Sequence, residues 1–91
     1  MKEIEDYDLA AKNAGLIIGL RQEIYFRSTG KTSTVYMEFI NDQWVAWRET
    51  YVMNSSKRKS YKLIEQGRFE KVIRRVENYL LFIERKMKES D

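Results

Sequence analysis

The C-terminal third of the sequence carries a regular apolar stripe that constrains the whole fold. Apolar residues recur there at alternating spacings of four and three: Phe69, Ile73, Val76, Leu80, Ile83 and Met87. This spacing places side chains on one face of an α-helix. A helix over residues 68–88 would be about 32 Å long, at about 1.5 Å per residue. An apolar face of that length needs another element to cover it.

The residues before this helix alternate between apolar and polar with a period of two, which is typical of strands. We predict one strand over 16–27, interrupted at Gln22, and two more over 33–40 and 44–53. Residues 54–60 read as a polar loop. Residues 61–64 form either a short fourth strand or a helical turn, and Gly67 favours the strand because it would weaken a helix.

A short helix is predicted over residues 4–14, with acidic residues in its first turn and Gly15 as its stop. The expected fold is therefore a single α+β domain over residues 1–91. It has a short N-terminal helix, a three- or four-stranded antiparallel meander and a long C-terminal amphipathic helix packed on one sheet face.

The four-three spacing also suits pairing of the helix with a second copy. Val72, Tyr79 and Phe82 widen the apolar face beyond a narrow coiled-coil seam, which favours packing of the helix on the sheet. A homodimer remains an alternative, because the helix can pack on the sheet and pair with a second copy in the same dimer.

Two residue types with a central place in catalysis are missing: the chain has no cysteine and no histidine. Disulfides, thiolate metal sites, cysteine nucleophiles and Ser-His pairs are thereby excluded. The carboxylates match no metal-ligand pattern. We expect a non-enzymatic protein without cofactor or metal. Because no apolar run approaches the length of a membrane span, we expect it in the cytoplasm and away from membranes.

The segment Thr29-Gly30-Lys31-Thr32 resembles the end of a phosphate-binding loop. That motif needs a glycine where this chain has Tyr25, and it needs a following helix where this chain alternates like a strand. We interpret the segment as a hairpin turn.

Positive charge is concentrated between Lys57 and Arg75. This segment contains eight basic residues and two acidic ones, in a chain of net charge +3. The basic residues are Lys57, Arg58, Lys59, Lys62, Arg68, Lys71, Arg74 and Arg75. If they share a surface, they would suit phosphates, and a nucleic-acid-binding domain is the alternative function. A solvated loop and helix face would produce the same pattern.

Trp44 and Trp47 are three residues apart, so on a regular strand their side chains lie on opposite sheet faces. Trp47 shares its face with the more apolar set, Val45, Tyr51 and Met53, which assigns Trp47 to the core and Trp44 to the second face. A three-residue turn over 41–43 would then group four residues into a candidate protein-binding surface: Tyr36, Ile40, Trp44 and Arg48. Tyrosine, tryptophan and arginine are frequent interface anchors.

Three arrangements would remove this surface. The N-terminal helix could cover the second face, a bulge could turn Trp44 inward, or a two-residue turn at Asn41-Asp42 could change the pairing. With the surface present, the expected function is that of a small interaction protein, for example an inhibitor or accessory factor of a mobile-element type. The identity of its protein partner is not encoded in any motif.

Overall fold

Residues 6–53 and 57–89 are described by the computed structural model of the protein, without the side chains of residues 58, 59 and 87–89. They form two helices and one antiparallel sheet. The elements are α1 (Tyr7–Asn13), β1 (Ile17–Leu20), β2 (Ile24–Ser28), β3 (Ser33–Ile40), β4 (Gln43–Tyr51), β5 (Arg58–Gly67) and α2 (Phe69–Glu89).

The sheet is a meander, with the strands lying side by side in chain order and each antiparallel to the next. Helix α2 runs back over β5 and β4. The predicted order of helix, antiparallel meander and long packed helix is confirmed. The predicted number of strands, three or four, is wrong, because the sheet has five.

The first extra strand arises at the interruption at Gln22. There the chain reverses its direction. Gln22 has a φ of 59°, and the Glu23 amide donates to the Leu20 carbonyl at 3.0 Å. A residue with positive φ ends a strand, because it breaks the extended geometry. The register also shifts between Ile18 and Leu20. The strand predicted over 16–27 is therefore two paired strands, β1 and β2.

Strand β5 is ten residues long and starts at Arg58, within the segment predicted as a loop. It contains residues 61–64, so the strand interpretation of that segment is confirmed. Residues 54–56 lie outside the described part of the chain. Gly67 ends β5 with a φ of +135°, a conformation that L-residues rarely adopt, and α2 begins two residues later.

The core lies between the sheet and α2. Four residues of the predicted stripe are buried, namely Phe69, Ile73, Val76 and Leu80, together with Val72, which lies beside it. Ile83 is half-buried, and the side chain of Met87 lies outside the described part. The sheet contributes Tyr25, Val35, Met37, Trp44 and Ala46. The stripe therefore packs on the sheet, as its width predicts.

Helix α1 lies on the same side of the sheet as α2. Its Tyr7 ring stacks on Phe69 at 4.2 Å between ring centroids and meets Trp44 edge-on at 5.7 Å. Asp6 caps the helix by accepting a hydrogen bond from the Leu9 amide at 2.9 Å. Gly15 follows with a φ of +97°, so the predicted stop is confirmed. Residues 1–5 lie outside the described part.

Candidate interaction surface

The two tryptophans lie on opposite faces of the sheet, as their spacing predicts, but their assignment to the faces is reversed. Trp44 is only 4% exposed beneath α2, where it packs against Phe69 at 5.1 Å and Tyr25 at 5.7 Å between ring centroids. Trp47 lies on the opposite side, which we call the open face. The assignment of Trp47 to the core and Trp44 to the second face is therefore wrong.

The length of one turn explains the reversal. Strands β3 and β4 are joined by the two residues Asn41 and Asp42, with φ angles of 50° and 65°. Ile40 therefore pairs with Gln43, and Tyr36 pairs with Trp47. The three-residue turn assumed from sequence would shift this pairing by one residue, and a one-residue shift moves every side chain to the other face.

The predicted group of Tyr36, Ile40, Trp44 and Arg48 is consequently split, and the prediction that they form one surface is wrong. Tyr36 and Ile40 lie on the open face, whereas Trp44 and Arg48 lie on the side of α2. Arg48 donates from Nη1 to the Tyr79 hydroxyl at 3.0 Å and from Nη2 to Ser33 Oγ at 3.2 Å. Its guanidinium thus connects β4 to α2 and β3.

A row of apolar and aromatic side chains crosses the open face in place of that group. Each residue is directly opposite the next on the neighbouring strand, so all of them share one face. We call this set the open-face row: Ile17, Phe26, Tyr36, Trp47 and Leu63. The Trp47 ring stacks against Tyr36 at 5.3 Å and against Tyr61 at 6.3 Å between ring centroids.

Much of this apolar surface is accessible. Four large side chains on the open face are about half exposed or more: Ile17 at 56%, Leu20 at 60%, Tyr61 at 49% and Leu63 at 47%. Both helices pack on the opposite side. No helix among residues 6–53 and 57–89 covers the open face.

A polar network holds the centre of the open face in place. The Glu49 carboxylate accepts hydrogen bonds from Trp47 Nε1 at 3.2 Å and from the Tyr51 hydroxyl. The bond to Glu49, followed by the neighbouring Tyr36 side chain, raises the pKa of Tyr51, so its phenol stays protonated. The aromatic side chains are thereby fixed in one arrangement before any partner arrives.

The open face is apolar with a negative bias. On strands β2, β3 and β4 it carries the carboxylates of Glu38 and Glu49 and no lysine or arginine. The Glu38 carboxylate lies between Ile24 and Val45, which are its direct neighbours across the strands. It has no hydrogen bond or ion pair with any other residue that the structure describes.

Most of the predicted basic residues lie elsewhere: Lys62 is on the helix side of β5, and Arg68, Lys71, Arg74 and Arg75 are on α2 or directly before it. Lys57, Lys62, Arg68, Lys71, Arg74 and Arg75 are exposed. Lys71 forms an ion pair with Glu65 at 3.7 Å. Arg74 lines one depression with Arg68, Lys71 and Arg75, and a second one with Glu70 and Glu77 of α2. The side chains of Arg58 and Lys59 lie outside the described part, and their predicted role stays a prediction.

Sequence reasoning missed four members of the open-face row: Ile17, Phe26, Trp47 and Leu63. Their strands were predicted at least in part, but the face of each depends on the turn or loop that precedes it. Asn41-Asp42 is a sequence signal that could have placed Trp47, because Asn and Asp tolerate the positive φ angles of a two-residue hairpin turn.

Residues 29–32 join β2 to β3, with the Thr29 amide donating to the Ser33 carbonyl at 3.0 Å, so the hairpin turn predicted there is confirmed. Within the described residues, no three Asp or Glu side chains converge as a metal site would require. The described helices include none that is long and apolar enough to cross a membrane.

Comparison with protein-family models, with curated protein sequences and with solved structures finds no match to this chain.

Proposed function

We propose that the protein is a non-enzymatic interaction protein that binds another protein through the open face. The observation that carries the proposal is the open-face row, an aromatic and aliphatic surface that crosses five strands and has no helix over it among the described residues. Exposed apolar surfaces of this extent are typical of binding sites. An inhibitor or an accessory factor would act in this way, by occupying a surface of its target.

Preorganisation supports binding at this place. Trp47 and Tyr36 stack on each other, and Glu49 holds Trp47 and Tyr51 by hydrogen bonds. Little side-chain freedom is left to lose when a partner docks, which lowers the entropic cost of association. Tryptophan and tyrosine held in this way are the residue types that most often dominate interface energetics.

Charge specifies the partner further. Glu38 lies on the open face without a hydrogen bond or ion pair among the described residues, so the face suits an apolar protein surface that presents basic residues. The same carboxylate would repel the phosphates of a nucleic acid.

The test is direct binding to a purified partner. A partner captured from the native cells on the immobilised protein would be identified, purified and titrated by calorimetry. Trp47→Ala with Leu63→Ala should weaken binding by about 30-fold or more, because a buried anchor contributes about 2 kcal/mol or more. Glu38→Lys should weaken it as well, by repelling the partner's basic residues.

The matched control removes equally exposed apolar side chains elsewhere. Leu81→Ala with Phe82→Ala changes two residues of α2 that are 53% and 52% exposed, and it should leave the affinity within about twofold. Equal affinity of the open-face variant and the wild type, with both cooperatively folded, would exclude this surface. Concentration-dependent dimerisation that is abolished by Trp47→Ala would show that the open face binds a second copy of the chain instead of another protein.

A further inference from the structure

Two cationic side chains lie directly opposite each other on the helix side of the sheet. Arg48 of β4 pairs with Lys62 of β5, and both approach Tyr79 of α2. Arg48 Nη1 donates to the Tyr79 hydroxyl at 3.0 Å, and Lys62 Nζ lies 5.8 Å from the centre of the Tyr79 ring. Like charges directly opposite each other destabilise a sheet. Within the part of the chain that the structure describes, neither cation has a carboxylate within ion-pair distance.

Further cations extend this pair along the edge of the molecule. Helix α2 runs antiparallel to β5, and Lys62 and Tyr79 lie at about the same level, each about 16 Å from the junction of the two elements. Between that level and the junction, α2 carries Arg75 and Lys71, and Arg68 directly precedes its first residue, Phe69. We call Lys62, Arg68, Lys71 and Arg75 the β5–α2 stripe, and all four are exposed.

Acidic compensation of the stripe is small. Glu65 forms an ion pair with Lys71 at 3.7 Å, and Glu70 lines a depression with Arg68, Lys71 and Arg75. Lys62, Arg68 and Arg75 have no ion pair with a described carboxylate. Arg48 lies directly opposite Lys62, and its Nε is buried without a hydrogen-bond partner among the described residues. A polyanion along the stripe would supply the negative charge that this region lacks.

The neighbouring aromatic rings indicate which polyanion fits. Single-stranded nucleic acids are bound where cations line a groove and open aromatic rings stack the bases. Here Lys62 lies over Tyr79 and Lys86 lies over Phe82 at 5.5 Å from the ring centre, so cations already occupy these rings. The other exposed aromatic rings lie on the acidic open face, except Phe39, a single ring that is 47% exposed and lines a depression with Arg68. The stripe therefore suits phosphates presented without bases, as on the outside of a duplex.

We infer that the β5–α2 stripe binds the phosphodiester backbone of a duplex nucleic acid, with Lys62, Arg68 and Arg75 as the phosphate contacts. This inference does not rest on the proposed function, because it uses the other side of the sheet. Neutralising about three phosphates gives a slope near −3 for log affinity against log salt. Affinity should then fall on the order of 50-fold between 50 and 200 mM salt, with little dependence on base sequence.

The experiment is fluorescence anisotropy of the full chain with labelled 20-base-pair duplexes, one of DNA and one of RNA, over a series of salt concentrations. Binding to either duplex with a slope near −3 is expected, and the two arms show which sugar is preferred. Lys62→Gln with Arg75→Gln should lower the affinity at least tenfold at 50 mM salt and make the slope shallower by about 2.

Lys12→Gln is the matched control, because Lys12 is exposed on α1, away from β5, and its change should alter the slope by less than about 0.5. Arg68→Gln with Arg75→Gln keeps Lys62 over Tyr79, and it serves if the first variant fails to fold. No binding to either duplex at 50 mM salt, or an unchanged slope in the stripe variants, would overturn the inference. So would tighter binding to polyglutamate than to the duplexes, which would indicate an acidic protein instead.

Discussion

At the scale of single residues, Trp44 and Trp47 have the same type of side chain but occupy different environments. Trp44 lies in the core among Tyr7, Tyr25 and Phe69. Trp47 lies on the open face, where its indole N–H is bonded to Glu49. The difference comes only from their separation of three residues along an extended strand.

Substituting each tryptophan by alanine should distinguish these environments. Trp44→Ala leaves a cavity beneath α2 and should lower the free energy of unfolding by about 3–5 kcal/mol. Trp47→Ala removes a partly exposed ring and should lower it by on the order of 1 kcal/mol. Urea denaturation of both variants measures this. A larger loss for Trp47→Ala would contradict the assignment of the faces.

Asp8 connects α1 to the first hairpin of the sheet. Its carboxylate accepts hydrogen bonds from the Tyr25 hydroxyl at 2.7 Å, the backbone N–H of Gln22 at 2.9 Å and Arg21 Nε at 3.3 Å. The bond from Tyr25, followed by that from Gln22, lowers the pKa of Asp8 below its ordinary value of 3.8. Burial and the bond to Asp8 raise the pKa of Tyr25. Both shifts keep the phenol as the donor and the carboxylate as the acceptor.

The pKa of Asp8 predicts acid sensitivity. Since it is lower in the folded state, the carboxylate stabilises the fold fully above pH 3.8, and this contribution is lost as the pH falls through the folded-state pKa. Asp8→Asn should therefore unfold at a lower temperature than the wild type at pH 7. The difference should shrink between pH 4 and pH 2. Thermal unfolding over this range tests it, and a difference independent of pH would contradict it.

At the scale of elements, the turn between β3 and β4 decides which face each strand residue occupies. Asn41 and Asp42 both have positive φ, as a two-residue type I′ turn requires. The tight turn fixes the pairing of Tyr36 with Trp47 and of Phe39 with Trp44. Two residues thus set the composition of both the core and the open face.

Asp42→Gly should stabilise the protein. Glycine adopts positive φ without steric cost, and Asn-Gly is a preferred pair for this turn. The gain should be up to about 1 kcal/mol, since glycine also gives up more backbone entropy on folding. Asp42→Ala is the control and should destabilise. The midpoints of urea unfolding, at constant slope, compare the three proteins. An alanine variant as stable as the glycine variant would show that φ at this position is unimportant.

At the scale of the whole molecule, apolar surface and positive charge are separated by the sheet. The open face combines the open-face row with Glu38 and Glu49, while the β5–α2 stripe gathers cations on the other side. The two proposed binding surfaces therefore lie on opposite sides of the sheet. The two proposed sites can therefore be tested one at a time, because their variants share no residue.

The sequence by itself determined the order of helix, antiparallel meander and long helix, the extent of α2 and most of its buried stripe, since each follows from periodicity along the chain. The end of α1 at Gly15 and the placement of Trp44 and Trp47 on opposite faces also follow from the local sequence. Which indole lies beneath α2, and the division of the first strand at Gln22, were decided only by the tertiary structure. The face that each side chain occupies depends on the pairing register. One residue more or less in the turn would move the side chains of the strand to the other face.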